Sequence, residues 1–248
     1  MRYRIRKTHR SANEPELGLL SALGESGNFV DVGANIGCWS IRAAKLFQQV
    51  FAFEPDRNVS VLLRATMPAN VLVYTVALSD HSGTAQLSVP LINGKEVATR
   101  ASLQNGANPG FLEIRREVPT ATLDSYQLRN IAAIKIDVEG HEASVLDGAT
   151  ETIARERPVL IVEVEERHHR GRSHEVFDRL LRQDYVCQFV RDNRLNQFNT
   201  TMIDELQPIE REPEVGIKHA NYVNNFIFVP RERSQIFCTM AELLASQA

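Results

Sequence analysis

The chain has 248 residues, 43% of them hydrophobic, and a formal net charge of -3. It is long enough to bury a sizeable core as a single domain over residues 1–248, and no global charge draws it to nucleic acid or to anionic membranes. Cys38, Cys187 and Cys238 are scattered without zinc or redox spacing, no apolar run is long enough to span a bilayer, and the basic start lacks an apolar h-region; reduced thiols in a cytoplasmic protein are the simplest reading.

Arg2, Arg4, Arg6, Lys7 and Arg10 make the N-terminus locally basic. This reads as a solvated, partly frayed arm, with a phosphate- or membrane-touching arm as the alternative. Leu17, Leu19, Leu20 and Leu23 recur at roughly helical spacing and predict a helix over 14–23. An apolar strand over 28–32 ends at a glycine turn, a helix pattern fills 38–47, and a second strand over 50–54 ends at Glu54. A further helix is predicted over 57–65, stopping before Pro68, and a third strand over 71–78. Asp80-His81-Ser82-Gly83 is a turn signal, and 84–89 reads as a short extra strand. Residues 90–117 are polar, rich in Asn-Gly signals and not periodic, so they read as a long loop of functional interest.

An extended piece over 118–123 and a helix start at Asp124 lead to a fourth strand over 132–138. A helix over 142–154 and a fifth strand over 159–164 follow. Residues 174–182 are amphipathic, 185–190 and 225–229 read as strands joined by a long connection, and 236–244 has helical spacing. The repeated βα order predicts a doubly wound, mostly parallel sheet with helices on both faces and an antiparallel C-terminal strand.

The turn Asp31-Val32-Gly33-Ala34-Asn35-Ile36-Gly37 is the first chemical signal. Gly33 lets the chain leave the strand sharply, and Gly37 lets the helix start lie close to a ligand. The spacing departs from the G-x-G-x-x-G of dinucleotide sites, where a pyrophosphate rests on the helix start. The acid Asp31 suits an ammonium or a bridging water better than a pyrophosphate, which favours S-adenosylmethionine over a nicotinamide dinucleotide. Glu54 stands where an acid accepts from ribose hydroxyls in either cofactor class. Ser79 and Asp80 end the third strand; Asp80 either accepts from an adenine amino group or simply starts its turn.

The second signal is Lys135-Ile136-Asp137-Val138-Glu139-Gly140-His141-Glu142. A lysine inside a buried parallel strand needs a partner, and Asp137 or Glu163 on the neighbouring strand would serve. Asp137 and Glu139 are expected in the crevice that Gly33 opens, where either would orient or deprotonate a hydroxyl nucleophile; the alternative is a cap for the next helix. His141 ranks below Glu139 as a base. Asp137, Glu139 and Glu163 are of a type to hold a hard cation, but no spacing demands one and no metal is assigned. His168, His169 and His174 lie in what reads as a polar loop; they would touch substrate, while their spacing argues against zinc.

Taken together, the 29–37 block, Phe53-Glu54-Pro55, Ala77-Leu78-Ser79-Asp80 with Gly83, Thr122-Leu123-Asp124 and the 134–142 block resemble the FkbM-type methyltransferases, with a looser echo at 224–228. The resemblance spans about residues 28–165. It implies a class I methyltransferase (Rossmann-like) fold, S-adenosylmethionine as donor, and O-methylation of a sugar, glycan or other natural-product acceptor. Carried over residue by residue, it implies cofactor contacts from Asp31, Gly33, Ala34, Asn35, Gly37, Glu54, Ser79, Asp80 and Asp137. It implies a transfer site around Asp137, Glu139 and His141. The expected partner is a small-molecule or glycan acceptor, without nucleic acid or a membrane span, and self-association into a homo-oligomer is allowed. The rival readings are a nicotinamide-dependent oxidoreductase on the same sheet and a cofactor-binding module without chemistry.

Overall fold

The computed structural model describes residues 14–23, 27–104, 106–169, 171–208 and 222–246. The basic N-terminal arm lies outside the described residues. The first unit runs through α1 (Glu16–Leu19), β1 (Asn28–Val32), α2 (Cys38–Ala43), β2 (Gln49–Phe53), α3 (Arg57–Thr66) and β3 (Val71–Tyr74). A β-arm follows: β4 (Ala77–Leu78), β5 (Gly83–Ile92), β6 (Lys95–Glu96) and β7 (Leu112–Ala121). The chain re-enters the main sheet at β8 (Ile131–Ile136) and continues through α4 (Glu142–Asp147), α5 (Thr150–Glu156), β9 (Val159–Glu163) and α6 (Glu166–His169). It ends with α7 (His174–Leu181), β10 (Tyr185–Arg191), β11 (Arg194–Gln197), α8 (Ile203–Leu206), β12 (Asn225–Pro230) and α9 (Ile236–Ser246).

The described strands form an eight-stranded sheet, β11-β10-β12-β9-β8-β1-β2-β3, and a four-stranded sheet, β4-β7-β5-β6. Strands β3, β2, β1, β8 and β9 are parallel, and β12 lies antiparallel between β9 and β10. This is the doubly wound, mostly parallel sheet with an antiparallel C-terminal strand that the βα order predicts. Alternate side chains feed two cores. Val30, Ile134, Ile136 and Leu160 meet Val145, Ile153 and Phe177 on one face. Phe29, Ala133, Val159 and Ile161 meet Leu17, Trp39, Leu63 and Met240 on the other. Each such apolar side chain contributes about 1.5–3 kcal/mol on full burial, and burial on both faces is why these strands read as nearly unbroken apolar runs.

Several elements differ from the sequence reading. Helix α3 matches closely, because Asp56 caps it: one carboxylate oxygen accepts from the N–H groups of Asn58 and Val59. The third strand breaks after Tyr74, and 77–78 pairs instead with β7 in the second sheet. The 90–117 stretch is not one long loop. Strands β5 and β7 form a long antiparallel ladder from Gly83↔Thr120 to Leu91↔Leu112, and Leu87, Val89 and Val118 make a small core beneath it. Pro90 misleads because proline usually ends a strand; here its carbonyl makes the bond, accepting from Val97 N–H at 3.0 Å. The helix expected over 142–154 is two helices, α4 and α5. They part at Gly148, where a Cβ would fall 1.9 Å from the Ser79 carbonyl oxygen. The leading helix is four α residues and a 3-10 turn. His168 and His169 are in helix α6 and buried, not in a polar loop.

Strand β3 is one edge of the main sheet among the described residues. The Arg64 guanidinium of α3 donates to the Val73 carbonyl (3.1 Å) and to Thr75 Oγ1 (2.6 Å) beside that edge. Among the described residues no helix is long and apolar enough to cross a membrane.

Candidate active site

A cleft opens beyond the carboxyl ends of β1, β2 and β8, where β1 has neighbours on both sides drawn from different halves of the chain. Open parallel sheets place their ligands at this kind of switch point. The empty volume is about 980 Å³ counted out to the open mouth. Strand β1 leads straight into it. Gly33 adopts φ 78°, and a Cβ there would sit 1.8 Å from the Asp137 carbonyl oxygen. The exits of β1 and β8 therefore touch backbone to backbone, and only glycine fits. Gly33 and Ala34 both donate to the Phe53 carbonyl at 3.0 Å, which ties the turn to β2.

Glu54 follows directly. Its two oxygens accept from backbone N–H groups, Asn35 at 2.8 Å and Asp56 at 2.8 Å. Asn35 reaches this position in the left-handed region, φ 48°. Burial pushes the Glu54 carboxyl up to about 7, against those two hydrogen bonds, which favour the ionised form. The side chain is thus oriented before any ligand arrives and is costly to ionise until one does.

Gly33, Ala34, Asn35, Glu54, Asp137, Glu139 and His141 all line this cleft. Asp31, Gly37, Ser79 and Asp80 do not. Asp31 is buried and accepts from Ser40 Oγ at 2.5 Å; burial pushes its carboxyl up to about 6, with the Ser40 bond and Lys135 acting the other way. Gly37, at φ 82°, serves packing, since a Cβ there would sit 2.5 Å from Leu63 Cδ1. Ser79 Oγ lies 2.9 Å from His141 Nε2 and so braces a lining residue from behind. Burial shifts the His141 imidazole down, toward the neutral form. Asp80 is half exposed and pairs with His81 at 2.6 Å, a bond that holds its carboxyl below the usual range.

Lys135 is fully buried. Its ammonium stands 3.9 Å from both Asp137 Oδ2 and Glu163 Oε2. It donates to Asn225 Oδ1 and the Ile136 carbonyl, each at 3.1 Å, and faces the Trp39 ring at 5.4 Å. The sequence reading named both acids as its partners. Strand β8 stops at Ile136, so alternation does not carry on to Glu139. Glu139 instead turns in the left-handed region, φ 52°, and its Oε2 accepts from His168 Nε2 (2.8 Å) and Arg167 Nη2 (3.2 Å). Burial pushes its carboxyl up, and the His168 bond draws it down. Among the described residues no group of three or more histidine, cysteine or acidic side chains is placed to hold a metal ion.

The sequence reading marked the 90–117 stretch as of functional interest but named none of its lining residues. Leu87, Ala98, Thr99, Ala101 and Leu103 of the β-arm roof the cleft. The arm is pinned there at three points. Asn35 Nδ2 donates to the Ala98 carbonyl (3.4 Å), Ser102 Oγ to the Glu139 carbonyl (2.6 Å) and Arg116 Nη1 to Asp56 Oδ2 (2.9 Å). Trp39 and Glu14 line the far wall, joined by an indole N–H bond of 2.9 Å. The single tryptophan just after the glycine turn was a usable signal; nothing in sequence singles out Glu14.

The charges of the lining discriminate between cofactors. Glu14, Glu54, Asp137, Glu139 and Glu163 are carboxylates, and among the described residues the lining holds neither lysine nor arginine. Such walls fit a ligand bearing ribose hydroxyls, an ammonium and a sulfonium, and they repel a pyrophosphate.

Comparison with known proteins agrees. The family model for the methyltransferase FkbM domain matches residues 31–187. Among solved structures, the chain is similar to the methyltransferase FkbM from Methylobacillus flagellatus KT, with 17% identity and a TM-score of 0.50. That match covers 83% of this chain but 44% of the other, so the chain spans less than half the length of that relative. It is also similar to an O-methyltransferase from Bacillus cereus solved with SAH, at 12% identity and a TM-score of 0.48, covering 88% of this chain and 79% of that one. No curated protein matches the chain significantly.

Proposed function

The chain belongs to the FkbM-domain methyltransferases, and from that premise we propose that it moves a methyl group from S-adenosylmethionine to a hydroxyl oxygen of a sugar, glycan or other natural-product acceptor. The observation that carries the reading is one cleft lined by Gly33, by a pre-oriented ribose-type acid, Glu54, and by the acids after β8, with no lysine or arginine in the lining among the described residues. When bound, the cofactor supplies an electrophilic methyl on sulfur.

Glu54 accepts from the ribose hydroxyls, its oxygens already held by the Asn35 and Asp56 N–H groups. Val76, Ala77, Leu78 and Leu87 offer an apolar slot of the kind an adenine fills. Asp137 stands at the β8 exit, beside the turn that carries the amino-acid end of the ligand. Glu139 takes up or directs the proton of the acceptor hydroxyl; its burial pushes its carboxyl up, which strengthens it as a base. His141, drawn toward its neutral form and braced by Ser79, lies on the same wall. The roof of the β-arm would shield the acceptor from water, and the cleft walls would orient its oxygen toward the methyl.

Isothermal calorimetry with S-adenosylhomocysteine tests the proposal. Binding to the wild type, with loss of at least about tenfold in affinity for Glu54→Ala, is the expected result. A folded protein that gives no heat with S-adenosylhomocysteine but binds NADH in a fluorescence titration would overturn it in favour of the oxidoreductase reading.

A further inference from the structure

We infer that His168 is a positioning residue of the transfer site, fixing one oxygen of Glu139 so that the other is presented to the acceptor hydroxyl. The inference rests on the methyltransferase reading with Glu139 as proton acceptor, and it assigns work to a residue outside both sequence motifs.

The geometry is specific. The turn after β8 and helix α6 are fitted to each other at close range. Gly140, φ 102°, has no room for a side chain, since a Cβ there would lie 2.9 Å from His168 Cβ. Glu139, held in the left-handed region, is anchored from above by Ser102 Oγ on its carbonyl. Both donors from α6, His168 at 2.8 Å and Arg167 at 3.2 Å, go to the same oxygen, Oε2. Oε1 receives no hydrogen bond from a described residue, and Glu139 lines the cleft. The carboxylate is therefore divided into a held oxygen and an offered one.

The direction of the His168 donor follows from its other nitrogen. The side chain is 2% exposed, and Nδ1 is buried without a hydrogen-bond partner among the described residues. A buried N–H with no acceptor costs more than an unused lone pair. Nε2 therefore carries the N–H that faces Glu139, and its direction is fixed by the ring.

The surrounding charges give the arrangement its purpose. Asp137 faces Glu139 from its own turn, and Glu165, Arg167 and His168 face it from the segment after β9. Arg167 is shared, since its Nε donates to Glu165, which also accepts from Asn224 Nδ2 at 2.8 Å. Arg167 thus lies between the carboxyls of Glu139 and Glu165 and holds Oε2 of the first, which leaves Oε1 as the place for a proton from the acceptor hydroxyl. His168 then sets how readily the proton is taken, because its hydrogen bond favours the ionised carboxylate.

Infrared difference titration tests this on the full chain, with Glu139→Gln subtracted to isolate the Glu139 band. His168→Leu should raise the Glu139 midpoint by about one pH unit or more, and His168→Gln, which keeps an N–H donor, should restore most of it. An unchanged midpoint in folded His168→Leu, or no recovery in His168→Gln, overturns the inference. A second measurement needs no variant: long-range nitrogen NMR of the wild type should show Nε2 of His168 carrying a proton that is coupled to the Glu139 carboxylate. A ring whose proton sits on Nδ1 alone overturns it as well. Failure of the wild type to bind S-adenosylhomocysteine in calorimetry would instead strike the methyltransferase reading, so the two failures are distinguishable.

Discussion

Glu54→Gln separates the cost of keeping a functional acid from the stability of the fold that holds it. The Glu54 carboxyl titrates at about 7 in the folded protein against an ordinary value of 4.5, chiefly through burial. At about 1.4 kcal/mol per pH unit, that displacement is worth about 3 kcal/mol. The sign is set by which state holds the proton. Well below 4.5 both states are protonated, and the group costs nothing. Between 4.5 and about 7 the unfolded chain releases its proton while the folded chain keeps it, so stability falls as pH rises, and above that range the loss is complete. A glutamine at this position cannot ionise. It retains one acceptor oxygen for the Asn35 and Asp56 N–H groups, and it loses about 1 kcal/mol with the other at every pH. Urea denaturation of wild type and variant at about pH 5 and about pH 8, without ligand, isolates the ionisation from the hydrogen bond. The variant should gain about 2 kcal/mol relative to wild type between the two conditions, while losing affinity for S-adenosylhomocysteine at both. A stability difference that is the same at both pH values would refute the claim that Glu54 is held against its own ionisation.

Two further outcomes follow from the geometry around the cleft. Gly33→Ala should cost about 4 kcal/mol or more, because it combines a left-handed φ of 78° with a Cβ 1.8 Å from the Asp137 carbonyl oxygen. Gly94→Ala shares the positive φ but meets nothing within 4 Å, and should cost about 1 kcal/mol in the same denaturation assay. Equal costs would mean that the β1–β8 contact is softer than described. Lys135→Met should destabilise by about 3–5 kcal/mol near neutral pH, since it leaves Asp137 and Glu163 without their buried cation. Asp31, already raised to about 6, is then pushed higher, and the penalty should shrink as the pH is lowered through that range; chemical denaturation across pH checks this.

The centre of the main sheet was legible because burial on both faces writes itself into the residues: β8, β9 and the antiparallel β12 are apolar almost without interruption. The cleft walls were legible for a related reason. Gly33, Glu54 and Asp137 all stand at strand ends, where the sheet delivers its ligand contacts. The β-arm was legible only at its base, where 84–89 and 118–123 read as extended; the rest was not, because β5 and β7 gain their order from each other across a gap in sequence. Each alone is a polar, proline-marked stretch with a weak apolar alternation. Asp31 illustrates the opposite error. A strand-end acid beside a glycine turn has the right chemistry for a ligand, yet Ser40, nine residues on, takes it as an internal partner. Sequence spacing does not say which face of the strand that oxygen leaves from. Helix α6 was hidden by its shortness: four residues carry no periodicity, so two buried histidines looked like loop residues.

Arg64 has a consequence for the life of the chain outside catalysis. An open parallel sheet must end somewhere, and a bare edge is a template on which another chain can add a strand and start an aggregate. Strand β3 carries that hazard, with Leu72 44% exposed along it. The guanidinium on the Val73 carbonyl spends one of the acceptors an incoming strand would need and sets a fixed positive charge at the rim. An incoming strand would have to displace that bond and meet that charge, so Arg64 opposes edge-to-edge growth at the apolar edge beside the cofactor strands.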